Sequence, residues 1–235
     1  MTESATPHSP AAAEGRPPAP PAARPPAPAA IPPVGTGAVR AVLLDADGVL
    51  QLIGTPWRQA LAEAGGPEFA DCLLTEEHPA LEGRERLADL LDRLVERLGL
   101  EVGTDDLMRV WRRATPDPAA RQLVADLRAA GYLTVLATNQ HEERMGWMRS
   151  QLRYDGLCDL DAYSCTLGVA KPDPRYFETV LRLAGVSAHE ALFVDDSAEN
   201  IASARGVGLR VLHHPVDAGG QVLRRGVVEA LSRPS

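Results

Sequence analysis

Five short apolar runs set the limits on what this chain can become: Ala41–Asp45, Leu133–Ala137, Ala162–Cys165, Ala191–Val194 and Leu209–Leu212. Each is too short for a helix and lacks polar alternation, so each reads as a strand buried on both faces. Helical stripes separate the later runs. "PDPAARQLVADLRAAG" puts Leu123, Val124 and Leu127 on one face, with Gly131 just past the end. "DPRYFETVLRLAG" does the same with Phe177, Val180, Leu181 and Ala184, closing on Gly185, and "SAENIASARG" is a short helix ending at Gly206. Strand–helix–strand alternation predicts a parallel sheet covered by helices on both faces. Chemistry in such sheets sits beyond the carboxyl ends of the strands.

The first crossover breaks the rhythm. About 85 residues separate the first run from the second, far more than a strand–helix–strand connection needs. They contain Leu87, Leu91, Leu94 and Leu98 at helical spacing, then Leu107, Met108, Val110 and Trp111. Residues 52–116 are therefore expected to form an inserted helical cap, over a core of 38–51 and 117–235. Residues 1–37 hold 11 of the 20 prolines, interleaved with alanine. That stretch has too little apolar surface to offset chain entropy and is expected to be a disordered passenger rather than a ligand for a partner. It lacks the apolar centre of a signal peptide.

Several function classes fall away. No apolar run approaches the roughly 18 residues of a membrane span. Net charge is −8 and the only adjacent basic pairs are Arg112-Arg113 and Arg224-Arg225, which argues against nucleic acid. Cys72, Cys158 and Cys165 share no metal-ligand spacing and read as small buried hydrophobes in a reducing cytoplasm. "GVGLR" follows a helix and precedes a strand, the reverse of a phosphate-cradling glycine turn.

The chemistry concentrates at strand ends. Asp45 and Asp47 close the first run, and Asp195 and Asp196 the fourth. Gly48 does not make this a calcium loop, because the first and twelfth positions would be Leu43 and Gly54. Parallel strands open on one side, so up to four carboxylates meet there. Two such charges about 4 Å apart repel by roughly 4 kcal/mol at an effective dielectric of 20. Oxygen-only ligands suit a hard cation, Mg²⁺ above all. Thr138 and Asn139 end the second run and suit phosphoryl oxygens, though both are common turn residues. Lys171 is the one lysine beside 23 arginines, which marks a place where a compact ammonium is needed. Trp57, Arg58, His78 and Glu82 could face a substrate but read first as structural or solvated, as do His213 and His214 beyond the last strand.

Asp45-x-Asp47-Gly48-Val49, Thr138-Asn139, Lys171-Pro172 and Asp195-Asp196 resemble, in order, the four motifs of the haloacid dehalogenase superfamily, in the branch with a helical cap between the first and second motifs. The resemblance implies a three-layer, Rossmann-like α/β core with a central parallel sheet in the order 3-2-1-4-5. It implies that Asp45 attacks phosphorus and Asp47 exchanges protons with the leaving oxygen and with water. Mg²⁺ would be held by Asp45, the Asp47 carbonyl, Asp196 and Asp195, the last as ligand or support. Thr138, Asn139 and Lys171 would bind phosphate, with Asn200 behind them. Asp47 favours phosphoryl transfer over dehalogenation, which needs no acid at that position. The expected activity is hydrolysis of a small phosphorylated metabolite; a hexose-phosphate mutase and a catalytically idle interaction protein are the alternatives.

Overall fold

The structure, a computed structural model, describes residues 29–35 and 39–233. Strand β1 (Ala41–Leu44) leads through a short strand β2 (Gln51–Leu52) into helices α1 (Trp57–Gly65), α2 (Pro67–Glu76), α3 (His78–Leu81), α4 (Leu87–Leu98) and α5 (Thr104–Met108). A 3-10 turn over Arg109–Arg112 and strand β3 (Thr115–Pro116) bring the chain back. Then follow α6 (Pro118–Ala129), β4 (Leu133–Thr138), α7 (Glu142–Gln151), β5 (Leu160–Tyr163), α8 (Ser164–Leu167), α9 (Pro174–Ala184), β6 (Ala191–Asp195), α10 (Ala198–Val207), β7 (Arg210–His213) and α11 (Gly220–Ser232).

The sheet order is β5-β4-β1-β6-β7, all parallel, which numbers the five expected strands 3-2-1-4-5. β1 is its centre. Side chains alternate across a strand, so Val42 and Leu44 join one core with Leu123 and Val124 of α6 and Leu223 and Val227 of α11. Ala41 and Leu43 face the other, with Phe177 and Val180 of α9 and Ile201 of α10. Every β1 residue is fully buried, which is why its run carries no polar alternation. Asp117 caps α6 through the N–H groups of Ala119 and Ala120, and Gly185 ends α9 in the left-handed region.

The insertion from α1 to α5 has a core of its own, in which Leu87, Leu91 and Leu94 of α4 meet Phe69, Leu73 and Trp111. β2 and β3 pair antiparallel at its base, so both connections leave and re-enter the main domain side by side.

Three details depart from expectation. The third strand, expected at Ala162–Cys165, is Leu160–Tyr163, and Ser164 and Cys165 begin α8. Burial runs unbroken from Ala162 to Cys165 across that junction, so the inward-facing pattern alone does not place it. α10 runs one residue past Gly206 to Val207 and closes on Gly208 in the left-handed region. Most of the expected tail lies outside the described residues, but 29–35 lie on the main domain: Ile31 and Val34 cover the α6/α11 core, and the Val34 N–H donates to the Ala130 carbonyl at 3.0 Å. Among the described residues, no helix is long and apolar enough to cross a membrane.

Candidate active site

The carboxyl ends of β1, β4 and β6 open into a cavity of about 260 Å³ roofed by the insertion. Asp45 follows the last residue of β1, Thr138 ends β4 and Asp195 ends β6, so the sheet itself aims these groups at one crevice. Asp45, Asp195 and Asp196 each offer an oxygen within 4.8 Å of the others. Lys171 lies among them, 4% exposed and joined to Pro172 by a cis peptide bond. Its Nζ lies 2.9 Å from Asp45 Oδ1 and donates to Asp195 Oδ2 at 2.6 Å and to the Ala137 carbonyl at 2.9 Å. A guanidinium could not enter this enclosed three-way contact, which accounts for the single lysine.

Asn139 holds that lysine by its backbone. Its Nδ2 donates to the Lys171 carbonyl at 2.8 Å, and its Oδ1 accepts from the Lys171 N–H at 2.9 Å. Asp195 is fully buried and heavily bonded, accepting from Lys171 Nζ, the Ser197 N–H and Asn200 Nδ2. Asp45 and Asp196 are less committed. Gly48 stands at φ 72° and a Cβ there would come within 2.6 Å of Asp196 Oδ2, so only glycine lets this turn approach that carboxylate. His213 places its Nε2 2.8 Å from the Asp196 carbonyl.

Burial, then the neighbouring Asp195, Asp196 and Asp47, push the Asp45 carboxyl up to about 8 despite the pull of Lys171. Burial and Asp195 push Asp196 up to about 6. Burial opposes a charge on Lys171, but Asp45 and Asp195 outweigh it and raise the ammonium's pKa. Three carboxylates and one ammonium, fully ionised, sum to two negative charges. This oxygen-only set fits a divalent hard cation, which would relieve the penalty that now holds the carboxyls up.

Asp47 is arranged differently. Its side chain is absent from the three-carboxylate group and faces α7. Arg144 forks onto it, with Nη2 donating to Oδ1 at 2.7 Å and Nη1 to Oδ2 at 2.8 Å. Gln51 Nε2 donates to Oδ1 at 2.7 Å and Gln140 Nε2 to Oδ2 at 3.1 Å. Gln140 Nε2 also reaches Thr138 Oγ1 at 3.1 Å. Any metal ligation by Asp47 therefore falls to its backbone carbonyl.

Arg144, Gln140, His141 and Glu77 went unnoticed in the sequence. Arg144 carried one legible signal. It lies in the first turn of a helix, where a cation runs against the helix dipole and needs a partner. Its guanidinium also lies 4.5 Å from the Trp57 ring centre, and Trp57 stacks on Trp111 at 6.4 Å. His141 is buried, caps α7 through the Arg144 N–H and meets Trp111 edge-on. Burial pushes Glu77 up to about 7, against the pull of Arg144. Of the residues first considered for substrate contact, Trp57 lines the crevice. Arg58 pairs with Asp71, and His78 and Arg84 with Glu82, none of them lining it.

A five-stranded parallel sheet, acidic at its carboxyl edge and covered by a helical insertion after β1, defines a class of capped α/β enzymes. The chain belongs to the haloacid dehalogenase-like hydrolases, whose family model matches residues 39–208. It is 30% identical over 214 residues to a phosphatase of Mycobacterium tuberculosis, covering 83% of this chain and 94% of that protein. It is 33% identical over 121 residues to a phosphoglycolate phosphatase of Mesorhizobium japonicum, a match spanning 52% of each chain and so about half of that relative's length. A haloacid dehalogenase family enzyme of Bacteroides thetaiotaomicron, solved in complex with magnesium and inorganic phosphate, shares the fold with a TM-score of 0.64 at 20% identity, over 74% of this chain and 93% of that one.

Proposed function

We propose that this hydrolase is a Mg²⁺-dependent phosphatase of small phosphorylated metabolites, working through a phosphoryl group carried on Asp45. One observation carries this reading: the Asp45 carboxylate meets Lys171, Asp195 and Asp196 at the floor of the crevice, with a fourth carboxylate, Asp47, fixed at its wall.

Asp45, Asp196 and the Asp47 carbonyl would hold the cation, with Asp195 as a further ligand or as support. The bound cation would offset negative charge on the phosphoryl oxygens. An Asp45 oxygen attacks phosphorus, and the bond from phosphorus to the ester oxygen breaks. Asp47 gives its proton to the departing alcohol. Water then attacks the same phosphorus, Asp47 takes the water's proton, and the bond to Asp45 breaks to release phosphate. Thr138, Asn139 and Lys171 hold the phosphoryl oxygens through the charge-rich transition states. Asn200 keeps Asp195 in place, and Asp195 in turn orients Lys171. Asp47 accepts from four donors in the resting site, so taking up a proton means releasing one of them. The two neutral amides, Gln51 and Gln140, are the ones free to yield.

The test is turnover of p-nitrophenyl phosphate by purified protein. Activity that needs Mg²⁺ and disappears in Asp45→Asn supports the reading. Activity that survives either EDTA or that substitution rejects it.

A further inference from the structure

The crevice has two chemically different halves. Its floor is charged. Its roof is apolar, made by Ile53, Trp57, Leu61, Leu74, Leu81 and Trp111. Leu74 is 38% exposed, an apolar surface that helix α2 leaves open toward this space.

The polar groups around that roof are mostly spoken for. Two cations line the crevice among the described residues, Arg144 and Lys171. Both terminal nitrogens of Arg144 are held by Asp47. Lys171 Nζ is surrounded by Asp45, Asp195 and the Ala137 carbonyl. Two groups there are exceptions: His141 Nε2, buried beside Trp111 without a hydrogen-bond partner among the described residues, and Glu77, between α2 and α3. Glu77 also lines the crevice, and its carboxyl makes no hydrogen bond or ion pair with any described residue.

We propose that the crevice selects phosphate esters of compact, mainly apolar alcohols that present one hydrogen-bond donor to Glu77 and carry no second anionic group. This inference rests on the phosphatase reading and names its substrate class. A polyol would press several hydroxyls against tryptophan and leucine, where each loses water without gaining a partner. A carboxylate on the leaving alcohol would find no uncommitted cation and would face Glu77. A hydroxyl or ammonium placed there gains an acceptor in a partly dry site. The inference separates this chain from its phosphoglycolate-hydrolysing relative, whose substrate carries a carboxylate beside its phosphate.

Three esters with matched leaving groups provide the test: benzyl phosphate, 4-(hydroxymethyl)benzyl phosphate and 4-carboxybenzyl phosphate, with phosphoglycolate and glucose 6-phosphate beside them. The readout is kcat/KM in Mg²⁺ for the wild type, Glu77→Leu and Glu77→Lys. In the wild type, the hydroxymethyl ester should exceed the carboxy ester by at least about tenfold. Glu77→Leu should erase the advantage of the hydroxymethyl ester over benzyl phosphate, and Glu77→Lys should raise the carboxy ester relative to it. If p-nitrophenyl phosphate is turned over but the carboxy ester or phosphoglycolate matches benzyl phosphate, the inference is wrong and the phosphatase reading stands. If neither Glu77 substitution moves these ratios, Glu77 does not face the alcohol. Failure to hydrolyse any ester, p-nitrophenyl phosphate included, overturns both.

Discussion

Asp47 is the residue on which the proposed chemistry turns. A carboxylate held by an arginine fork and two amides is fixed in direction, which suits a group that must meet a leaving oxygen and then a water. Its proposed role in the first half-reaction depends on the leaving group. An alkoxide needs a proton to depart, whereas p-nitrophenolate does not. Asp47→Asn should lower kcat/KM for benzyl phosphate by roughly 10²–10⁴-fold and for p-nitrophenyl phosphate by much less. Equal losses on both would remove Asp47 from the acid role. The partners of Asp47 explain what could be read in the sequence and what could not. Asp45, Thr138, Asp195 and Asp196 end apolar runs, so their convergence follows from a parallel sheet. Arg144 is 97 positions from Asp47, and nothing local in either segment announces the pair. Glu77 lies in a helical stretch where an acidic residue is ordinary, and only the packed insertion turns it inward.

At the scale of elements, the insertion is tied to the main domain by a carboxylate. Glu143, in the first turn of α7, accepts from the N–H groups of Leu87 at 3.4 Å and Ala88 at 3.3 Å, at the start of α4. Burial pushes its pKa up, but His141 beside it and the N–H groups of Glu143 and Ala88 outweigh this and hold it at about 2. A carboxyl lowered on folding contributes stability above its unfolded value, here near 4.5, and loses it as pH falls toward about 2. Melting temperatures of wild type and Glu143→Gln should therefore differ fully at pH 6 and converge as pH drops through that window. A constant gap would show that the carboxylate charge plays no part in the link. The same scale shows where pattern reading stops. The leucine stripe of α4 was legible because helical periodicity persists over three turns. The observed edge strand β5 starts two residues before the expected one because its first half is only partly buried and the buried stretch continues into α8. The ribbon of β2 and β3, two residues each, is too short to leave any periodicity.

For the whole molecule, the acidic crevice dominates. Net charge is −8, and within the site three carboxylates outnumber one ammonium. A ligand that binds the folded chain alone stabilises it by about 2.7 kcal/mol at 100 times its Kd. Mg²⁺ at that level should raise the melting temperature by roughly 5–10 °C. EDTA should reverse the shift, and Asp196→Ala should abolish most of it. An unchanged melting temperature across a wide Mg²⁺ titration would mean the carboxylates do not form a cation site. The parallel sheet was legible at this scale because burial on both faces leaves its mark on every central strand, whereas its order came from the family resemblance alone. The docking of residues 29–35 was not, since Ile31 and Val34 stand alone among prolines and alanines. The central claim is that Asp45 carries the phosphoryl group, and acid quenching during turnover tests it most directly. Protein stopped while hydrolysing p-nitrophenyl phosphate in Mg²⁺, then digested and weighed, should carry a phosphoryl adduct on the peptide containing Asp45, at the aspartate side chain. Turnover with no adduct at any quench time, or an adduct on another residue, would contradict it.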